Sequence, residues 1–521
     1  MRTSSPLRRT LYSIIGTAVC FFFLLPDTAY SQAYISSSKV YYPGSAGFTR
    51  TDGLVTDNSA NTYLLSRTQQ NTFQPTIPYA AKGTGFKSVL MKHDANNNLL
   101  WSRYLPHSAS GTGNTMFSQI VVDGNNVHLL GVTTATDVPV THGPAAGGGG
   151  SDIIYARVDA TTGNLLTTLY LGGNSFDGDG IGLAVHGGQV FLTYTTTSNN
   201  IPTTDGSAYT SGYDHVMARM DEQANIVYCV YTGSVNTTTT YTDTVSFKVS
   251  NGNAVLGMVV SNTNNFVTTD GSTVQGPYDY GIVKLGASGN KLFSIVNGGT
   301  GEEFSPEIEV LGNNVFITGI TTSTNYPVTD GSAFPGSYRH VITKFNNSGQ
   351  VVFSKYTAGI PAGTDYPQIA VEDGMVYVFG HAVDMAPHVN VTDGSSGGSY
   401  LIKMNAANGA VQFATRFGYV RTGSTVKASQ LMVHNGQAFI TFPAHNGPAN
   451  LFTTDGSTMY TNGGTYIVAL TETGKQFFAT GRQTALNDGR VITNMVKTGN
   501  RLTVLSCHLS SATAHAPLRN Q

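Results

Sequence analysis

Five copies of Thr-Asp-Gly-Ser place aspartates at Asp205, Asp270, Asp330, Asp393 and Asp455. Carboxylates repeated at so regular a spacing would, if gathered in a ring, bind cations or basic groups. An Asp-Gly turn accounts for the same residues without a ligand, because the carboxylate then accepts hydrogen bonds from nearby backbone amides. A residue present in every repeat ordinarily serves the repeat. One repeat upstream, His142 occupies the Asp place in Thr141-His142-Gly143.

The densest acidic spot is Asp177-Gly178-Asp179-Gly180. Asp177 and Asp179 suit Ca2+, a hard cation that takes several oxygens, but the ladder of ligands and distal Glu of a helix–loop–helix site are missing. A solvated loop is the alternative. Glu302 and Glu303, with Glu307 and Glu309 close by, could supply a general acid and base, or lead into a strand as a charged loop. Tyr213, Tyr278 and Tyr338 fall in or beside long loops, where a tyrosine ring either stacks on a sugar or packs between neighbouring sheets. No Ser/His/Asp order, phosphate-binding loop, dinucleotide fingerprint or His-Glu-x-x-His is present, so no catalytic residue is assigned.

Composition bounds the partners. With 521 residues, 11% of them charged and a net charge of −2, the chain lacks the clustered Lys and Arg that capture nucleic acid. Its first residues read as an export signal. Arg2, Arg8 and Arg9 precede an apolar run over 11–25, and Ser31-Gln32-Ala33 offers a cleavage site before Tyr34. That divides the chain into a signal peptide, 1–33, and one exported domain, 34–521, secreted, periplasmic or at the cell surface. No later run is apolar enough to span a bilayer. Beyond the leader remain Cys229 and Cys507, in distant repeats, which read as free thiols.

The elements that would position these residues follow from the repeat. The marker recurs every 60–65 residues from His142 to Asp455, which suits a unit of four short strands. In the clearest copy strand a covers 307–311, b 315–318, c 340–345 and d 351–356. Tight Gly- and Asn-bearing turns join a to b and c to d, where positive φ is needed. The long b–c and d–a loops then share one side of the molecule, the side expected to carry any ligand. Basic residues recur on strand c at Lys92, Arg157, Arg219, Lys284, Lys344 and Lys403, with Ala469 in the last copy. They are read as weak structural pairings near Asp94, Asp159 and Asp221.

The sequence therefore predicts an all-β chain, a single β-propeller of four-stranded antiparallel blades. Eight blades are expected, and seven with an extra hairpin is the alternative. A last a–b pair over 491–507 lacks its c and d strands. The N-terminus offers them, with 34–36 as a short c and 39–44 as d, so pairing the chain ends would close the ring and hide its edges.

Several stretches resemble the secreted bacterial β-propeller repeat family (SBBP repeats). They are Asn314-Val315-Phe316-Ile317-Thr318-Gly319, Ile201-Pro202-Thr203-Thr204, Asp152-Ile153-Ile154-Tyr155-Ala156-Arg157 and Tyr170-Leu171-Gly172-Gly173. The resemblance implies a propeller outside the cytoplasm and no activity shared by all members. The expectation is an exported, monomeric, non-catalytic binding, adhesion or scaffold protein whose partners are extracellular glycans or proteins. A propeller lyase or glycosidase acting on extracellular polysaccharide is the alternative.

Overall fold

The computed structural model describes residues 18–24, 34–41, 48–79, 83–143, 148–235, 245–261, 266–334, 336, 338–360, 367–382, 384–385, 398–417, 430–445, 462–483, 491–498 and 501–508. They form eight antiparallel sheets, seven of four strands and one of five. Seven sheets each take four successive main strands from one stretch of chain, and the fifth adds Asp384–Met385, borrowed from within the stretch of the sixth, at its outer edge. Their first strands are Phe48–Thr56, Thr115–Asp123, Gly182–His186, Ser246–Ser250, Glu303–Leu311, Gln368–Glu372 and Gln430–His434. Those seven match the complete units of the sequence, and the two ends of the chain add the remaining sheet. It runs Tyr34–Tyr41, Ala18–Leu24, Arg501–His508, Val491–Thr498. The innermost strands contact one another in sequence, and Val491–Thr498 touches both Gln430–His434 and Phe48–Thr56, so the ring is closed. The fold is a β-propeller.

The closing sheet departs from expectation in one respect. Tyr34–Tyr41 is a single outer strand, and Ala18–Leu24, inside the expected leader, takes the place beside Arg501–His508 with Ala18 opposite Cys507. In other sheets that third place is mostly buried, and in Lys87–His93 it is buried along its whole length. An uninterrupted apolar run such as Ala-Val-Cys-Phe-Phe-Phe-Leu suits it better than the polar Tyr-Ile-Ser.

Third strands such as Tyr338–Phe345 read as continuous buried runs because a neighbouring sheet covers each face. In the fifth unit, strand a begins four residues earlier than the sequence suggests, at Glu303, because an irregularity at Ser305 (φ 56°) carries the pairing past Pro306.

Two devices lock sheet to sheet. The first is the c–d turn. Gly349 has φ 78°, and a Cβ there would lie 3.0 Å from the Phe293 ring on the outer strand of the preceding sheet. Gly289 on Tyr228, Gly409 on Phe353 and Gly474 on Phe413 repeat the contact. Glycine is needed there both for its dihedral and for its missing side chain.

The second device corrects the reading of the basic residues. Lys92, Arg157, Arg219, Lys344 and Lys403 donate to the carbonyls of Ala160, Glu222, Ala287, Ala406 and Glu472 in the c–d turns of the next sheet. Lys284 also crosses to the next sheet, where it donates to Asn313 O in the a–b turn and to the side-chain Oδ1 of Asn347 in the c–d turn. On the way, Lys92, Arg219, Lys344 and Lys403 pass over the faces of Tyr63, Phe191, Phe316 and Tyr377. The expected partners Asp94, Asp159 and Asp221 instead fold onto the amides of their own turns. A carbonyl orphaned in a tight turn needs a donor, and a long cationic side chain crossing an apolar face supplies one.

Candidate functional site

The Thr-Asp-Gly-Ser loops fold across the outer edges of their own sheets. Thr269 donates its N–H to Ser294 O and accepts the Ser294 N–H on Oγ1, and Ser272 Oγ accepts the Val296 N–H. Thr204 with Cys229, Thr329 with Ser354 and Thr141 with Thr168 repeat the exchange. Each loop thus acts as a one-residue fifth strand on an edge that would otherwise be left unpaired. The aspartate holds the turn that places it. Asp205 Oδ1 accepts the Ser207 N–H, and Asp270 and Asp330 accept both the N–H and the hydroxyl of Ser272 and Ser332. Asp393 and Asp455 lie outside the described residues.

The d–a links carry the acidic residues. In two junctions a Gly-Gly pair is followed by an acid, and the end of strand b in the next sheet closes over the link. Asn200 Oδ1 accepts the Asn174 N–H and Ser198 Oγ the Ser175 N–H; Asn325 and Ser323 do the same for Thr300 and Gly301. Asp177 is fully buried and accepts from Gly173 N and Ser198 Oγ through Oδ2. Burial raises its pKa above the ordinary carboxylate value. Asp179 is exposed, so the two calcium candidates occupy different environments. Among the described residues no group of three or more His, Cys, Asp or Glu is gathered as a metal cage would require. Of the glutamates read as an acid–base pair, Glu303 is fully buried, Glu302 is partly exposed, and Glu309 pairs with Lys248 on the adjacent inner strand.

Tyr213, Tyr278 and Tyr338 take the same place in three successive sheets. Each opens a third strand, Tyr213–Met220, Tyr278–Leu285 and Tyr338–Phe345, and each is half-buried. Tyr213 meets Phe176 edge-on at 6.0 Å, and Tyr338 meets Phe304 at 5.9 Å. One edge of each of these two rings is fixed within its own sheet, by the preceding link for Tyr213 and by the first strand for Tyr338. The placement combines the two readings of the sequence: a ring partly packed and partly open to solvent.

Buried histidines form a further set that sequence reasoning missed. His340 Nδ1 lies 2.7 Å from Tyr400 Oη across a sheet boundary, and His128 Nδ1 lies 2.8 Å from Tyr155 Oη. Burial lowers the pKa of His340 and His381 to about 3 and that of His128 and His215 to about 4. They are neutral at physiological pH. Their isolation in the sequence gave no sign of a shared role, because each partner lies on a different strand. Cys229 is a buried free thiol.

No protein-family model matches this chain, and no curated protein does. Solved structures do resemble it in fold. BamB from Moraxella catarrhalis is 10% identical, at a TM-score of 0.40, with 87% of this chain and 100% of that chain covered. The β-propeller domain of the Trilobed protease from Pyrococcus furiosus is 10% identical, at a TM-score of 0.35, covering 82% and 98%. The polysaccharide lyase Uly1 is 11% identical, at a TM-score of 0.39, covering 95% and 99%. Likeness at this level concerns the fold alone.

Proposed function

We propose that this β-propeller is an exported, non-catalytic binding or scaffold protein that holds an extended glycan or protein ligand against its long-loop side. The observation that carries the reading is the row of half-buried tyrosines, Tyr213, Tyr278 and Tyr338, at one equivalent place in three consecutive sheets. Equivalent rings at regular angular steps suit a ligand that is itself repetitive, such as a polysaccharide, whose units stack in turn. The repeated aspartates stay in the reading as supports, since Asp205, Asp270 and Asp330 are engaged within their own turns. Export and kinship with SBBP repeats belong to the same proposal, resting on the repeat motifs; residues 18–24, inside the leader-like stretch, form a strand of the closing sheet and are retained in this reading.

A glycan array probed with the purified chain tests it. Binding is expected, and the triple variant Y213A/Y278A/Y338A is expected to lose at least about tenfold in affinity, in line with removing stacking worth about 0.5–1.5 kcal/mol per ring. Unchanged binding by the triple variant would end the tyrosine assignment. Shortening of a bound polysaccharide during the assay would replace the binding protein with an enzyme.

A further inference from the structure

Asp279 and Glu303 form a buried acid pair where the fourth sheet hands the chain to the fifth. Both are fully buried. Gly298 lies between them: a Cβ there would be 2.2 Å from Asp279 Oδ1 and 2.4 Å from Glu303 Oε2, so these two oxygens are close neighbours. Glu303 is supplied with donors. Its Oε1 accepts from the Thr321 hydroxyl at 2.5 Å and the Ser323 hydroxyl at 2.6 Å, and Oε2 accepts the Gly299 N–H at 3.0 Å. Asp279 Oδ2 accepts the Gln275 N–H at 2.7 Å, while its Oδ1 has no donor among the described residues. The titratable groups facing the pair are Tyr280, Tyr326 and Tyr356, all held neutral by burial, with Glu302 and Tyr278 at the exposed end of the junction.

Two ionised carboxylates at this separation, shielded from water, require a positive charge between them. We propose that Asp279 keeps its proton at neutral pH and through it donates a hydrogen bond to Glu303, a latch between two sheets that weakens as pH rises through the neutral range. One proton satisfies both the orphaned Oδ1 and the free lone pair of Oε2. A calcium ion would need six to eight oxygens, and the nearby hydroxyls already point into Glu303. Burial first, and then the adjacent Glu303, push the Asp279 pKa up to about 8. The arrangement recurs where the second sheet meets the third, with Asp152 and Asp177 flanking Gly172.

The sign follows from linkage. The unfolded Asp279 ionises near 3.8, while the folded one holds its proton to about 8. Between these values the unfolded state releases a proton that the folded state keeps, so stability falls as pH rises and levels off above about 8. D279N retains a donor without a titrating proton. Unfolding midpoints of the full chain and D279N, measured from pH 5 to pH 9 with and without added calcium, are expected to diverge in favour of the variant. The ratio of their folding constants should change by up to about tenfold per pH unit within the window. Parallel profiles would overturn the proposal, and so would calcium stabilising the wild type but not D279N, which would assign the pair to a metal. Infrared spectroscopy of the wild-type chain gives a second readout. A protonated-carboxyl band is expected at pH 7 and lost above pH 9, and its absence at pH 7 contradicts the latch.

Discussion

One basic residue, Lys or Arg, joins each of six sheets to the next. Lys344 is almost wholly buried, donates to Ala406 O at 2.7 Å and lies over Phe316. Its pKa is lowered by burial, so the charge is held by that carbonyl and the ring face rather than by an acid. K344M keeps the stem and removes the donor, and is expected to cost about 1–3 kcal/mol, read as a lower urea midpoint. A variant as stable as the wild type would return these residues to the weak pairing expected from sequence. G349A tests the companion contact. Its φ and the neighbouring Phe293 ring predict a loss of roughly 1–3 kcal/mol by the same measurement. The buried histidines predict the opposite pH trend from the acid pair. Their folded pKa values near 3 and 4 lie below the unfolded 6.5, so their contribution is full above about pH 6.5 and is lost as pH falls toward 4. Histidine-labelled NMR should find these four rings neutral at pH 5. A ring that titrates near pH 6.5 would contradict their burial.

Among the elements, the third strands and the marker loops show what the sequence could and could not reveal. Strand c of the clearest unit was legible as a strand, and so was the c–d turn, since Asn-Asn-Ser-Gly between two strand-like runs specifies a local shape. The fate of Thr-Asp-Gly-Ser was half legible. The Asp-Gly turn follows from chemistry within four residues. The pairing of Thr269 with Ser294 depends on a strand that arrives 25 residues later. The basic residues misled for the same reason. Asp94 lies two residues from Lys92 in sequence, but the Lys92 partner, Ala160 O, lies in the following sheet. Edge capping carries its own prediction. T269V with S272A exposes the edge of Lys291–Asn297 and should raise aggregation on heating as well as lower the melting temperature. Aggregation equal to that of the wild type would mean the loop does not protect the edge.

At the scale of the molecule, the basic cross-link spans six of the eight sheet boundaries among the described residues, and the other two flank the closing sheet. Ala469 stands where the seventh sheet would supply it, and Phe22 stands at the corresponding register in the closing sheet, opposite Thr503. Strand pairing between the chain ends, together with the contacts of Val491–Thr498 on both neighbouring inner strands, holds the closure. The sequence anticipated that these ends would meet. It placed the wrong residues in the third strand because 18–24 also has the composition of an export signal, and composition cannot distinguish an apolar leader from an apolar buried strand. Cross-linking in the full, uncleaved chain tests the closure most directly. Ala18 faces Cys507 in the register, so A18C/C20S under mild oxidation should form an 18–507 disulfide, found by peptide mapping, and raise the melting temperature. If no 18–507 bond forms while the chain remains folded, the two ends do not share a sheet, and the closed ring described here is wrong.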